Sequence, residues 1–186
     1  MKKEFEKPKI LVVVGPTASG KTGLAIELAK RFNGEVISAD SRQVYRGLDI
    51  GTAKTTKEEM DGVPHHLIDV ADPKEVYNAS DFKQGAEAAI ADIVARGKLP
   101  IVAGGTFFYV DILLGRVALP DVPPNEQLRK KLEEKSAAEL YQELQAKDPR
   151  RAAEIDPQNK RRVIRALEIA RELDYVQLAT KLTSPF

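Results

Sequence analysis

The sequence has 186 residues, 42% of them hydrophobic, which bounds it to one domain with a real core, or one domain with an insertion. Charged residues make up 31% and nearly cancel to a net +1, so the global charge does not single out nucleic acid and any basic surface is local. With no cysteine, disulfides, thiolate metal sites and a Cys nucleophile are excluded.

The N-terminus, MKKEFEKPK, is charged and runs straight into Ile10 to Val14. That apolar run is far too short for a signal sequence core or a membrane span, which predicts a soluble cytoplasmic protein with no membrane segment. ILVVV itself reads as a strand buried on both faces. A helix is predicted over Lys21 to Phe32, with Leu24, Leu28 and Phe32 on its buried stripe and Asn33-Gly34 as its stop. Glu35 to Ala39 reads as a second strand, and residues 46–64 read as loop. Leu67 to Val70 reads as a short third strand. Ser80 to Arg96 is predicted as a helix capped by Ser80, followed by a strand over Leu99 to Ala103 and a helix after Thr106.

Strand alternating with helix predicts an α/β fold: a P-loop NTPase-like parallel sheet flanked by helices. The texture changes at the proline-rich joint PDVPP. Beyond it the chain is charged, with helices predicted over about 126–135, 136–147 and 159–174 and breaks at Asp148-Pro149 and Asp156-Pro157. This gives a core over residues 1–119, a helical insertion or appendage over 120–174, and a return to the core over 175–186.

Ligands of such sheets bind outside the carboxyl ends of the strands, and three polar segments fall there: 15–22, 40–45 and 104–106. The first, Gly15-Pro16-Thr17-Ala18-Ser19-Gly20-Lys21-Thr22, matches G-x-x-x-x-G-K-[ST] between a strand and a helix. Its glycines let backbone wrap a phosphate, helix N-terminal amides face the anion, Lys21 adds a point charge, and Thr22 offers a hydroxyl to Mg²⁺. The loop alone does not choose among ATPases, GTPases, small-molecule kinases and other transferases. Asp40, ending the second strand, is either a general base or metal partner in the cleft or a turn-forming carboxylate. Thr106, after Gly104-Gly105, is either a ligand contact or a helix cap. His65 and His66 would point to opposite faces of a strand, which makes them a poor metal pair. Arg161, Arg162 and Arg165 share one face of a helix that packs through Val163, Leu167 and Ala170. Such a face binds phosphate or is simply solvated, and the near-zero net charge favours the latter.

Taken together, GPTASGKT, SADSRQVYRGLDIGTAK, HHLID, VAGGT with Tyr109 and RRVIRALE resemble the tRNA dimethylallyltransferase family across about residues 8 to 173. The resemblance implies that dimethylallyl diphosphate, with Mg²⁺ at Thr22, occupies Gly15 to Thr22. It implies transfer of the dimethylallyl group to N6 of the adenine immediately 3′ of the anticodon, with release of diphosphate. Lys21, Asp40 and Thr106 are the implied catalytic residues, Asp40 taking the N6 proton. Asp40, Ser41, Arg42, Gln43 and Thr106 are implied to contact the tRNA around its target base. Arg129 and the stretch Arg161, Arg162, Val163, Ile164 and Arg165 are the implied tRNA contacts of the helical part, in a monomeric enzyme. Two other readings remain: a small-molecule kinase using ATP, and a non-catalytic remnant. The family's chains continue with a further core strand and helices, whereas this one stops at Thr183-Ser-Pro-Phe186, as expected of either a truncated piece or a shortened natural member.

Overall fold

The computed structural model of the chain describes residues 8–172. They fall into two compact units, divided between Leu119 and Pro120. The predicted return to the core over 175–186 lies outside the described residues.

The first unit is built on four parallel strands: β1 (Leu11–Val14), β2 (Gly34–Ser38), β3 (His65–His66) and β4 (Leu99–Gly104), in the order β1-β4-β2-β3. Register runs from Leu11↔Ile101 to Val14↔Gly104, from Gly34↔Leu99 to Ser38↔Ala103, and through Val36↔His65 and Ile37↔His66. Successive side chains alternate faces, so β2 and β4 feed two separate cores. Val36, Ile101 and Ala103 pack with α1 (Lys21–Arg31). Ile37 and Val102 pack on the other face with α3 (Ala79–Ala95) and α4 (Phe107–Leu113). Phe82 and Tyr109 stack there with ring centroids 4.3 Å apart. Full burial of a side chain such as Phe82 or Ile37 contributes roughly 1.5–3 kcal/mol.

Several expectations are corrected. Leu24 and Phe32 are 49% and 51% exposed, and the face of α1 that meets the sheet is Ala25, Ile26 and Ala29. These side chains pack on Val13, Val36, Ile101 and Ala103, with Leu28 partly buried beside them. The third strand is His65–His66, not 67–70, because Leu67 (φ 62°) and Asp69 (φ 57°) have left-handed backbone that ends the strand. Asn78, not Ser80, caps α3: its side chain accepts from the amides of Ser80 and Asp81. The segment 46–64 holds a 3-10 turn (Ile50–Thr52) and a one-turn helix, α2 (Lys57–Met60), closed by a reciprocal Thr56–Glu59 cap. Lys54 holds this segment together through Tyr45 O and Asp49 (both 2.7 Å) and Asp69.

Glu35 sits buried at the start of β2 under Arg96, Lys98 and His66, with Lys98 Nζ at 2.7 Å and His66 Nε2 at 2.7 Å. The Arg96 guanidinium holds its carboxyl far below the usual carboxylate range; burial opposes this, and Lys98 and His66 reinforce it. Glu35→Gln is expected to cost about 2 kcal/mol in urea unfolding at neutral pH, less than the ~3–5 kcal/mol of a fully buried pair. Arg96 and Lys98 stay 38% and 31% exposed, so water partly replaces their partner. Because the folded-state pKa is depressed, this stability is fully present above the unfolded value of about 4.3 and is lost as pH falls below it toward the folded value. An unchanged acid-unfolding profile in Glu35→Gln would count against the assignment.

The second unit is helical: α5 (Glu126–Glu133), α6 (Ala137–Lys147), α7 (Pro149–Glu154) and α8 (Lys160–Glu172). Leu132, Leu140, Leu144, Val163, Ile164 and Leu167 form its core. Asp148-Pro149, read from sequence as a break, also starts a helix: Asp148 accepts from the Arg151 amide and Pro149 takes the first helical position. Ser136 and Glu139 cap α6 reciprocally.

Candidate active site

The sheet order makes β1, β4 and β2 consecutive neighbours, so the loops after all three strands emerge side by side. After β1, Gly20 (φ 78°) turns the chain in the left-handed region that glycine favours, and Ala18 (φ 63°) does the same without that freedom. Ser19 N–H (3.3 Å) and Lys21 Nζ (3.1 Å) both donate to Pro16 O, folding the lysine back across its own loop. No side chain caps α1, and its first turn holds no acidic residue. By contrast α2, α3, α5, α6 and α7 all carry side-chain caps. The amides that open α1 are thus left for an anion, with the helix dipole and Lys21 beside them.

The β4 loop reaches both neighbours. A Cβ on Gly104 would stand 2.2 Å from Ala39 O, so only glycine lets β4 close on β2 here. A Cβ on Gly105 would stand 3.9 Å from Lys21 Nζ, which sets that residue against the phosphate loop. Thr106 precedes α4 but does not cap it with its side chain. Its Oγ1 instead accepts from Ser41 N–H at 3.0 Å and donates to Ser41 Oγ at 3.4 Å, while Thr106 N–H donates to Ala39 O at 3.1 Å. The cap reading of Thr106 is therefore replaced by a bond across to the β2 loop.

Asp40 forms the turn that its position allows, and it also lines a cavity at the strand ends. Its Oδ1 accepts from the amides of Arg42 (2.8 Å) and Gln43 (3.3 Å), a turn made by its own side chain. Among the described residues no protein donor meets its second oxygen. Gln43 is fixed by Ala53 O at 3.1 Å, while Arg42 is exposed. A cavity of about 30 Å³ joins this loop to α1, lined by Thr22, Ser38, Asp40, Gln43, Thr55 and His65. The structure thus brings together Gly15 to Thr22, Asp40 to Gln43, and Thr106. Gly105 belongs to the segment 104–106 read from sequence, whereas Thr55 and the place of His65 carried no local signal. His65 and His66 do face opposite ways, toward Val63 O and Glu35 respectively.

In the helical unit the six named residues separate. Arg161 and Arg162 are exposed on α8. The side chains of Val163 and Ile164 are buried in the core, so they present no surface to an RNA, a correction that follows from the helix's own packing. Arg129 forks onto buried Glu168 (2.8 and 2.9 Å), and Arg165 reaches Glu168 (3.1 Å) and Val122 O (2.7 Å). Burial alone would raise the Glu168 carboxyl; Arg129, the Asn125 amide and Arg165 outweigh it and hold it below the ordinary range. Glu168 was overlooked, although its spacing of three from Arg165 in a helix was a readable signal.

A parallel sheet with its phosphate loop at the carboxyl ends of the strands defines a P-loop NTPase-like α/β protein. The chain belongs to the IPP transferase family, whose model matches residues 43–182. It is 53% identical over 174 residues to a tRNA dimethylallyltransferase of an Exiguobacterium species, covering 91% of this chain and 56% of that one. It is 54% identical over 168 residues to that of Thermomicrobium roseum, covering 88% and 51%. Among solved structures it resembles the tRNA isopentenylpyrophosphate transferase of Bacillus halodurans, with TM-score 0.61, 51% identity, and 89% and 56% coverage. It also resembles a eukaryotic dimethylallyltransferase acting on tRNA, with TM-score 0.81, 35% identity, and 96% and 46% coverage. The chain spans about half the length of the curated relatives it matches. Among the described residues no helix is long and apolar enough to cross a membrane.

Proposed function

We propose that this chain carries the prenyl-transfer chemistry of a tRNA dimethylallyltransferase, acting as a monomer in the cytoplasm. The dimethylallyl group moves from dimethylallyl diphosphate to N6 of the adenine immediately 3′ of the tRNA anticodon, and diphosphate leaves. The observation that carries this reading is the convergence of the uncapped α1 terminus, Asp40 and Thr106 at three adjacent strand ends. The names of the relatives support prenyl transfer over phosphoryl transfer from ATP.

The diphosphate sits on the loop amides and Lys21. N6 attacks the allylic carbon, the carbon–oxygen bond breaks with its electron pair leaving on the diphosphate, and Asp40 takes the N6 proton. Thr106, tied to Ser41, holds the edge of the cleft where the adenine lies. The extruded base leaves the anticodon stack before it can reach these groups. Thr22, in the first turn of α1 beside the phosphate loop, would offer its hydroxyl as one hard oxygen contact to Mg²⁺. Among the described residues no cluster of three His, Cys, Asp or Glu forms a cage, as suits an ion bound mainly through diphosphate and water. When bound, the ion adds positive charge to the leaving group. In the helical unit, Arg161 and Arg162 offer exposed guanidiniums to the tRNA backbone. Arg129 and Arg165 act from behind, fixing Glu168 and the start of α5.

Incubation with Mg²⁺, labelled dimethylallyl diphosphate and unmodified tRNA, beside ATP controls, tests this reading. Label is expected in the tRNA. ATP turnover with a small acceptor, or diphosphate binding without transfer, would overturn it.

A further inference from the structure

His65 takes no part in the steps above, yet it holds an unmet bond at the site. Its Nδ1–H donates to Val63 O at 2.8 Å, and since a carbonyl only accepts, this fixes the tautomer. Nε2 is left a bare acceptor. It is buried and, among the described residues, it is the one buried side-chain nitrogen or oxygen without a partner. Burial pushes the ring's pKa down, so it stays neutral. Register sets His65 beside Val36, on the α1 face of the sheet, where it lines the cavity shared with Thr22, Ser38, Asp40 and Thr55. That cavity, at about 30 Å³, exceeds the ~10–15 Å³ that one water needs, and its polar groups stand beside Val36, Ile68 and Ala103.

We propose that His65 is a positioning residue whose Nε2 holds a buried water that also donates to Asp40. The hydrogen-bond count balances. One water hydrogen goes to Nε2 and the other to the Asp40 oxygen that the backbone leaves unmet. A lone pair of the water accepts from the hydroxyl of Thr55, since that of Ser38 donates to Gln43 Oε1. Each carboxylate oxygen carries two lone pairs, so the one that takes the water still has room for the N6 proton. Asp40 is then held from both ends: by the amides of Arg42 and Gln43 on one oxygen, and by the His65 water on the other. The inference rests on the prenyl-transfer reading for its consequence, though not for the water itself.

The test compares the wild type, His65→Phe and His65→Gln by prenyl-transfer kinetics and by crystal structures that show ordered waters. The wild type is expected to hold a water between Nε2 and Asp40. Phe, which fills the space without an acceptor, is expected to lose that water and to lower kcat about tenfold, the scale of one hydrogen bond. Both KM values stay within about twofold, and unfolding midpoints stay near the wild type, because the loss falls on orientation rather than on binding or packing. Gln, which returns an acceptor, regains the water and most of the turnover. A dry cavity in the wild type overturns the proposal, as does full turnover in His65→Phe or a loss seen only in stability. A water in place with no prenylated tRNA from the wild type instead defeats the prenyl-transfer reading and leaves the water bridge standing.

Discussion

Replacing Asp40 with alanine is expected to lower kcat roughly 100- to 10,000-fold, the range that a positioned general base supplies. Binding of tRNA should change little, since Asp40 is one of several groups around the base and the phosphate contacts lie on the helical unit. Alanine also removes the bonds from Oδ1 to the amides of Arg42 and Gln43, so it disturbs the loop as well as the base. Asp40→Asn separates the two effects. Its side-chain oxygen keeps the turn, but its amide cannot take a proton. The account predicts that asparagine loses nearly as much turnover as alanine, with the loop intact. Steady-state kinetics on unmodified tRNA decide it; near-wild-type kcat in Asp40→Asn removes Asp40 from the role of base.

Lys21→Ala is expected to lower kcat by roughly 100- to 1,000-fold, the scale of one charge or donor lost from a developing anion. Unlike the Asp40 variants, it should also raise KM for dimethylallyl diphosphate, because the same ammonium meets the diphosphate before and during departure. Affinity for tRNA should hold. The folded-back contact to Pro16 O holds the lysine over its own loop, within reach of a phosphate seated there. A variant with normal kcat and normal KM would place the diphosphate somewhere other than this loop.

The central strand β4, LPIVAG, was legible as a largely apolar run because it is buried on both faces, whereas its neighbour β2, GEVIS, carries Glu35 and Ser38. The phosphate loop was legible for a different reason: its glycines, lysine and threonine are required by backbone shape and charge, so the chemistry is written in residue identity. Errors arose where geometry is set by distant contacts. Leu24 and Phe32 looked like the packing stripe of α1, but Ala25 and Ala29 win because the helix lies tight on β1, β2 and β4. The strand at His65–His66 carries two polar rings, and nothing in an apolar pattern marks it; its place comes from pairing with Val36 and Ile37.

The site follows the same division. Asp40 and Thr106 were named from their positions at strand ends, and the structure joins their loops through Ser41, a contact across 65 residues that no local pattern encodes. Thr56-Lys-Glu-Glu59 is a readable capping box that was passed over inside a segment taken as loop. In the helical unit the arginines were visible as a charged face, but their division was not. Arg129 and Arg165 converge on Glu168 from two helices, and only burial of that carboxylate separates them from exposed Arg161 and Arg162.

The central claim is that the loop at Gly15 to Thr22 seats a prenyl diphosphate whose group goes to a tRNA adenine. The most direct measurement is nucleoside analysis of tRNA digested after incubation with labelled dimethylallyl diphosphate and Mg²⁺. The account predicts label on N6 of the single adenosine immediately 3′ of the anticodon. Unlabelled tRNA, or label on any other nucleoside, would contradict it.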